Sequence, residues 1–179
     1  MAEKKSEFWG WIRAIIVAVI VTLVIQTFVI TSFVVSGESM EPTTYNGERF
    51  IVNKLSYRLG EPERFDLIVF KADENADYIK RVIGLPGDTI RYEDDVLYVN
   101  DEAVPEPFLE EVVAANGSDW AYTEDYELSG EVPEGYVFVL GDNRNNSLDS
   151  RRIGPVKMDD IIGKVGLRFW PLNKMGFME

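Results

Sequence analysis

The sequence predicts a mainly β protein in which one N-terminal transmembrane helix precedes a small, mostly antiparallel β domain. Residues 14–35 form an apolar run without a charged residue, and about 20 such residues span the hydrocarbon core of a bilayer as a helix. After residue 36 the apolar runs become short, rich in Val, Ile, Phe and Tyr, and separated by Gly and Pro, which is typical of strands. We therefore expect a cytoplasmic N-terminus and membrane anchor at residues 1–35 and an extracytoplasmic β domain at residues 36–179.

The charges that flank the apolar run predict its orientation. Lys4, Lys5 and Arg13 precede it, whereas the first charges after it are acidic. Positive flanks stay in the cytoplasm, so we expect a single-pass protein of the cell membrane with residues 36–179 outside. A cleavable signal peptide is one alternative, but its apolar region is usually shorter. A buried core helix is another, but apolar residues lie on every side of this run.

Composition excludes several kinds of site. The chain has 179 residues, no Cys and no His, so disulfides, thiol nucleophiles, Ser-His-Asp triads and His or Cys metal sites are ruled out. A catalytic base would have to be Lys, Asp, Glu or Tyr. The net charge of −13 argues against a nucleic-acid partner. We expect no cofactor and no metal ion.

The strands are expected in seven short runs, at residues 50–55, 67–70, 78–83, 89–92, 96–99, 136–140 and 161–169. Asp94-Asp95 or Asn100-Asp101 would serve as hairpin turns. Residues 107–115 are the one candidate for an amphipathic helix beyond residue 36. The acidic stretch at residues 101–134 contains three prolines and little periodic pattern, so we expect a solvated, mobile surface excursion.

Three polar clusters are candidates for a site. The first, SGESMEPT at residues 36–43, follows the anchor directly and alone would be explained as a polar linker. The second, YIKRVIGLPGD at residues 78–88, places Lys80 on a strand face between Tyr78 and Val82. Alone, that lysine would be explained as one that reaches solvent from a sheet margin. The third, GDNRNNSLDSRR at residues 141–152, is dense in Asp–Arg pairs that can lock a loop. An exposed turn is the alternative, but a simple turn rarely needs so many Asp, Asn, Ser and Arg residues.

Together the three clusters resemble the motifs of bacterial type I signal peptidases, in their short single-anchor form. SGESMEPT resembles the nucleophile motif of that family, YIKRVIGLPGD its lysine motif, and GDNRNNSLDSR its third conserved box. The motifs occur in the family's order, the first directly after an anchor, and the resemblance covers about residues 8–170. It implies a β catalytic domain of the signal-peptidase type.

The resemblance implies roles for individual residues. Ser39 would be the nucleophile, Lys80 the general base, and Ser147 the side chain that orients the Lys80 amine by a hydrogen bond. Four charged residues would hold the third box against the lysine strand: Asp142, Arg144, Asp149 and Arg151. The backbone N–H of Ser39 would be one oxyanion donor. The second donor stays open, because Gly37 stands where some family members have a serine.

A Ser–Lys pair replaces His in known nucleophile–base variants. A lysine with a pKa of ~10.4 is neutral in about one molecule in 2,500 at pH 7, so burial has to lower the pKa of Lys80. Tyr78, Val82 and the apolar residues 33–35 are expected to form the dry wall around it.

The resemblance also implies the reaction and the partners. The chain would be a serine endopeptidase that removes signal peptides from secreted pre-proteins after small residues, of the Ala-x-Ala type. Membrane lipid and the secretion machinery are further candidate partners, and the substrate would pair as an added strand. One alternative is a Ser–Lys self-cleaving protease of the repressor type. Another is a non-catalytic, membrane-anchored binding module, in which Lys80 would be exposed and Ser39 unreactive.

Overall fold

The computed structural model describes residues 2–74, 76–117 and 121–178. The side chains of Lys4 and Lys5, on which part of the orientation prediction depends, lie outside the described part. The helices are α1 (Ala2–Phe28), α2 (Ser56–Leu59), α3 (Glu110–Asn116) and α4 (Ser150–Ile153). The strands are β1 (Ile30–Val34), β2 (Arg49–Asn53), β3 (Leu67–Lys71), β4 (Asp77–Gly84), β5 (Thr89–Glu93), β6 (Val96–Val99), β7 (Glu102–Val104), β8 (Tyr126–Glu131), β9 (Tyr136–Leu140), β10 (Val156–Lys157), β11 (Ile161–Trp170) and β12 (Gly176–Phe177).

The strands form two antiparallel sheets, which confirms the predicted fold class. The first sheet has the order β1-β2-β11-β3-β4-β9-β10, with β12 added to β11. The second has the order β7-β6-β5-β8. An apolar cluster that includes Ile83 of β4, Phe138 of β9 and Tyr92 of β5 joins the two sheets, so the second sheet packs against the strand that carries Lys80.

The apolar helix ends earlier than the sequence predicted. The helix α1 stops at Phe28, and β1 pairs in register with β2 from Ile30↔Asn53 to Val34↔Arg49. The helical prediction for the last part of residues 14–35 is therefore wrong. An apolar run rich in β-branched residues satisfies the pattern of a buried strand as well as that of a helix, and only the distant partner β2 decides between them.

The remaining apolar helix still has the length of a membrane span. Residues Trp9–Phe28 form 20 residues of high hydropathy, none of them buried against the rest of the protein. At 1.5 Å per residue they extend about 30 Å, which matches the hydrocarbon core of a bilayer. The alternative of a buried core helix is excluded by this exposure.

The described residues of the acidic stretch at 101–134, which are 101–117 and 121–134, are part of the folded body, and this corrects the expectation of a mobile surface excursion. The stretch supplies β7 and β8 to the second sheet, and Leu109, Tyr122 and Val132 within it are buried. Its expected helix is present as α3. Both candidate hairpin turns form as well, since the residue pairs 94–95 and 100–101 all have positive φ, as type I′ turns require.

Candidate active site

Ser39 and Lys80 meet although they lie far apart in sequence. Ser39 sits in the loop between β1 and β2, and Lys80 in the middle of β4. The Nζ atom of Lys80 lies 2.7 Å from Ser39 Oγ and 3.1 Å from the carbonyl oxygen of Ile79. Lys80 is only 3% exposed, which does not fit the alternative of a non-catalytic module with an exposed lysine.

The burial of Lys80 changes its acid–base chemistry. Desolvation lowers the pKa of Lys80 from 10.5 to about 8, although the negative charges of Asp149 and Asp142 oppose that shift. A pKa near 8 leaves roughly one amine in ten neutral at pH 7. The ring of Tyr78 lies 5.3 Å from the nitrogen. The amine can therefore accept a proton near neutral pH.

A cleft of about 710 Å³ opens over the two side chains. Phe33, Val34 and Tyr78 line it, as expected for the dry wall, together with Ile79 and Leu148. Two residues of the expected wall lie elsewhere. Val35 is buried in the core below the nucleophile loop with Met40, and Val82 is buried against Val139.

The third box holds the nucleophile loop through its backbone. The N–H of Asn143 donates to the carbonyl oxygen of Ser39 at 3.1 Å, and the Asn143 side chain donates to the carbonyl oxygen of Glu38 at the same distance. Gly141 allows this close approach. A Cβ at position 141 would overlap the Ser39 carbonyl oxygen and the Ser147 side chain. Sequence reasoning missed Gly141 and Asn143, because the contact joins distant segments.

Asp142 joins three parts of the site. It accepts two hydrogen bonds from Arg81, at 2.9 Å from Nε and 2.7 Å from Nη2, and a third from the hydroxyl of Thr43 in the nucleophile loop. Both members of the Asp142–Arg81 pair are buried. Asp142 thus holds the third box against the lysine strand in the expected way. Its partner Arg81 stands next to Lys80 but was not singled out from the sequence.

Arg144 has a different partner from the one expected. Its guanidinium contacts Glu106 at 2.6 Å and the hydroxyl of Tyr92 at 3.0 Å. Both partners belong to the region of the second sheet, so Arg144 holds the third box against that sheet and not against the lysine strand. Glu106 lies in the acidic stretch that the sequence assigned to the surface, which is why this pair was missed.

Asp149 and Arg151 lock the loop onto itself. Arg151 donates to both carboxylate oxygens of Asp149 at 2.9 Å, and the N–H of Gly141 donates to the same carboxylate at 3.1 Å. Burial alone would raise the pKa of Asp149, but these donors lower it below its ordinary value. Asp149 therefore stays ionised. The pair shapes the loop without direct contact to β4 among the contacts of the described residues.

The Ser147 hydroxyl is buried but has no hydrogen-bond partner among the described residues. The expected hydrogen bond to Lys80 is therefore not formed in this structure. The Lys80 amine instead donates hydrogen bonds to Ser39 Oγ and to the carbonyl oxygen of Ile79. Ser147 packs against Gly141 and lies near Asp149.

The backbone before Ser39 bears on the open question of the second oxyanion donor. Gly37 has a positive φ of 98°, and its N–H donates to Asn46 Oδ1 at 3.2 Å. That N–H is therefore already used. Ser36, one residue further back, lines the cleft and offers a hydroxyl there.

Comparisons with known proteins identify relatives of this chain. The family model described as signal peptidase, peptidase S26, matches residues 8–170. The chain is 47% identical to signal peptidase I of Bacillus caldolyticus over 98% of this chain and 96% of that protein. It is 39% identical to signal peptidase IB of Staphylococcus aureus over 97% of this chain and 95% of that protein. A crystal structure of a signal peptidase I from Enterococcus faecalis matches with a TM-score of 0.56 at 42% identity, covering 59% of this chain and 97% of that one.

Proposed function

Because the chain belongs to the peptidase S26 family of signal peptidases, we propose that Ser39 is its nucleophile and Lys80 its general base. The chain is a serine endopeptidase that removes signal peptides. The observation that carries the proposal for its chemistry is the 2.7 Å contact between Ser39 Oγ and the buried Nζ of Lys80. A nucleophile within hydrogen-bond reach of a base of lowered pKa is the arrangement that acyl transfer needs.

Acylation begins from the neutral amine. Lys80 accepts the hydroxyl proton of Ser39 while Ser39 Oγ attacks the carbonyl carbon of the scissile peptide bond. The negative charge moves to the former carbonyl oxygen, and the N–H of Ser39 is one donor that stabilises it. The ammonium group of Lys80 then returns its proton to the departing amine. The products of this half are a free mature N-terminus and a signal peptide joined to Ser39 as an ester.

Deacylation reuses the same base. Lys80, neutral again, takes a proton from a water molecule that attacks the ester, and the ammonium group then gives that proton to Ser39 Oγ as it leaves. The signal peptide is released with a free carboxylate. Within the protein, only Ser39 and Lys80 exchange covalent bonds or protons, and the oxyanion donors contribute hydrogen bonds alone.

The edge of β4 supports binding of an extended substrate. Residues Asp77–Lys80 pair with β3 on one side, whereas pairing with β9 begins only at Arg81. The other edge of these residues therefore faces the cleft, where an extended peptide can add as a strand. Phe33, Val34 and Ile79 give the cleft an apolar wall, against which small apolar side chains would pack, and we propose specificity of the Ala-x-Ala type.

The apolar helix supports a membrane-anchored enzyme. We propose that Trp9–Phe28 crosses the membrane once, with the N-terminus in the cytoplasm and the β domain outside. The partners would then be secreted pre-proteins and membrane lipid. Since β1 follows the helix directly and forms part of the first sheet, removal of the helix as a cleaved signal peptide would cut into the folded domain.

Substitutions of the two central residues test the proposal. We expect Ser39→Ala, Lys80→Ala and Lys80→Arg each to abolish cleavage of a pre-protein and of a soluble peptide, since a guanidinium group does not act as a base at these pH values. Lys157→Arg, on an exposed lysine of β10, is the matched control and should keep full activity. For the unchanged chain, kcat/KM should rise with pH around a midpoint near 8, the pKa of Lys80.

Two outcomes would contradict this mechanism. One is substantial activity in a folded Lys80→Arg variant, with folding checked by circular dichroism. The other is a pH profile with a maximum near pH 5, which would indicate a carboxylate base.

A further inference from the structure

A basic segment follows β2 in a chain that is otherwise acidic. The whole chain has 18 basic and 31 acidic residues. Between residues 49 and 60, however, there are three basic residues and no acidic one. Two of the three, Lys54 and Arg58, stand in the short segment that leads from β2 through α2. This local reversal of charge needs an explanation outside the catalytic site.

The segment lies at the end of the apolar helix. The backbone N–H of Lys54 donates to the carbonyl oxygen of Val29 at 2.8 Å, and its Nζ donates to that of Thr27 at 3.1 Å. These two residues flank Phe28, the last residue of α1. The helix α2 adds only four residues, about 6 Å. Arg58 and Leu59 therefore stay within a few ångströms of the depth that headgroups occupy beside the hydrocarbon core.

Two side chains at the end of the segment are open to an external partner. Leu59 is 85% exposed, and Arg58 is exposed as well. Among the residues that the structure describes, no carboxylate lies within ion-pair distance of Lys54 or Arg58. A cleft of about 530 Å³ beside them is lined by further charged residues of both signs: Lys71, Asp159 and Asp160.

We propose that residues 54–59 rest on the outer surface of the membrane, where Lys54 and Arg58 bind the phosphates of anionic lipids. Leu59 would enter the boundary between headgroups and acyl chains. This inference depends on the membrane anchor proposed above. Each cation near an anionic surface strengthens binding about fivefold. The contact would restrain the β domain relative to α1 and so fix the height of the cleft above the bilayer.

The absence of cysteine makes the test direct, because one introduced cysteine gives one labelled site. The full chain carries a fluorophore at Leu59→Cys or, as a reference, at Asp101→Cys, whose side chain is 93% exposed in a hairpin of the second sheet. Each is placed in phosphatidylcholine vesicles with or without phosphatidylglycerol, which also contain a lipid with a nitroxide at the headgroup. We expect strong quenching at position 59, weak quenching at position 101, and more quenching at 59 when phosphatidylglycerol is present.

Charge reversal separates binding by charge from simple proximity. Arg58→Glu should reduce quenching at position 59 in phosphatidylglycerol vesicles severalfold, and so should high salt. Arg152→Glu, at an exposed arginine of α4, makes the same change of net charge and should leave quenching unchanged.

The possible failures can be told apart. Equal quenching at positions 59 and 101, or equal effects of Arg58→Glu and Arg152→Glu, overturns the lipid contact alone. A chain that does not float with the vesicles overturns the anchor and the lipid contact together. If the unlabelled chain did not cleave a soluble peptide, that result would instead contradict the proposed Ser39–Lys80 mechanism.

Discussion

Two buried ion pairs leave the same loop in opposite directions. Asp142 reaches Arg81 on the lysine strand, and two residues later Arg144 reaches Glu106 beside the second sheet. Both pairs are almost fully buried, and each loses a similar amount of hydration on folding. They differ in what lies next to them. Arg81 adjoins the proposed base, whereas Glu106 contacts Tyr92 and has no contact with Ser39 or Lys80 among the described residues.

The comparison separates two tasks that one motif performs. The Asp142–Arg81 pair sets the position of the loop relative to the proposed catalytic atoms, and the negative charge of Asp142 raises the pKa of Lys80. The Arg144–Glu106 pair attaches the second sheet to the first. Disrupting either pair should destabilise the fold. Only disruption of the Asp142–Arg81 pair should also change the pKa of Lys80.

Among variants that keep Ser39 and Lys80, the largest effect is expected at Gly141, which directly precedes Asp142. In Gly141→Ala the new Cβ would overlap the Ser39 carbonyl oxygen and the Ser147 side chain, so the nucleophile loop and the third box have to separate. A shift of about 1 Å at a reacting group costs on the order of 100-fold in rate. We expect kcat/KM on a soluble peptide to fall at least that far.

Gly166→Ala in β11 is the matched control, since a Cβ there meets only an ordinary contact at 3.7 Å. It should keep nearly full activity. If Gly141→Ala were as active as Gly166→Ala, the tight contact around Ser39 would not be needed for catalysis.

The next effect distinguishes the two ion pairs directly. Asp142→Asn and Glu106→Gln each leave a buried arginine without its counter-charge, which costs about 3–5 kcal/mol of unfolding free energy. Asp142 raises the pKa of Lys80 by its charge, so Asp142→Asn should also move the midpoint of the pH profile to lower pH. Glu106→Gln should leave the midpoint near pH 8. Denaturant unfolding and pH–rate profiles measure the two quantities.

The same shift of the pH midpoint in both variants would contradict this separation of tasks. If Asp142→Asn does not fold at ambient temperature, the pH–rate profiles of the two variants can be compared at low temperature.

The sequence predicted the catalytic sheet better than the second one. The strands that carry Lys80 and precede the third box are continuous apolar runs, and their pattern is visible locally. The strand β8 alternates within an acidic stretch, and its partner β5 lies more than thirty residues earlier. The acidic composition predicted a solvent-exposed segment. The pairing of β8 with β5 and the Arg144–Glu106 ion pair instead hold this segment in the folded domain.

The same limit applies to the site. Ser39 and Lys80 were predicted as nucleophile and base through motifs, since the residue types themselves carry the chemistry. Arg81, Glu106 and Gly141 act through distances between remote segments, and no local pattern reports such distances. The end of α1 belongs to this group, because β2 alone determines that residues 30–34 form a strand.

A smaller effect is expected when the base itself is removed. The folded pKa of Lys80, about 8, lies below its ordinary 10.5, so below pH 8 the fold holds a charged amine that burial disfavours. This cost is about 3 kcal/mol, and it disappears as pH rises from 8 to 10.5. The inactive variant Lys80→Met should therefore unfold at a higher denaturant concentration at pH 7, with a gain that fades above pH 8.

Lys157→Met, at an exposed lysine, should show no such pH-dependent gain. A destabilised Lys80→Met variant at pH 7 would mean that the contacts of the amine with Ser39 and Ile79 outweigh the desolvation of the charge.

The smallest effect is expected at Ser147, and it tests a role in which the family resemblance and the structure differ at the Lys80 amine itself. The resemblance implies that this hydroxyl orients the Lys80 amine, yet it has no hydrogen-bond partner among the described residues. Removing a buried hydroxyl that lacks a partner changes stability by about 1 kcal/mol or less, so Ser147→Ala should unfold nearly like the unchanged chain. Its kcat should fall by less than about tenfold, equivalent to 1.4 kcal/mol, because Ser39 and Ile79 still hold the amine.

Thr43→Val is the contrasting variant, since it removes a hydroxyl that does donate, to Asp142, and it should cost more in both measurements. A loss in Ser147→Ala as large as that of Ser39→Ala, with a changed pH midpoint, would show that Ser147 turns toward Lys80 when substrate is bound.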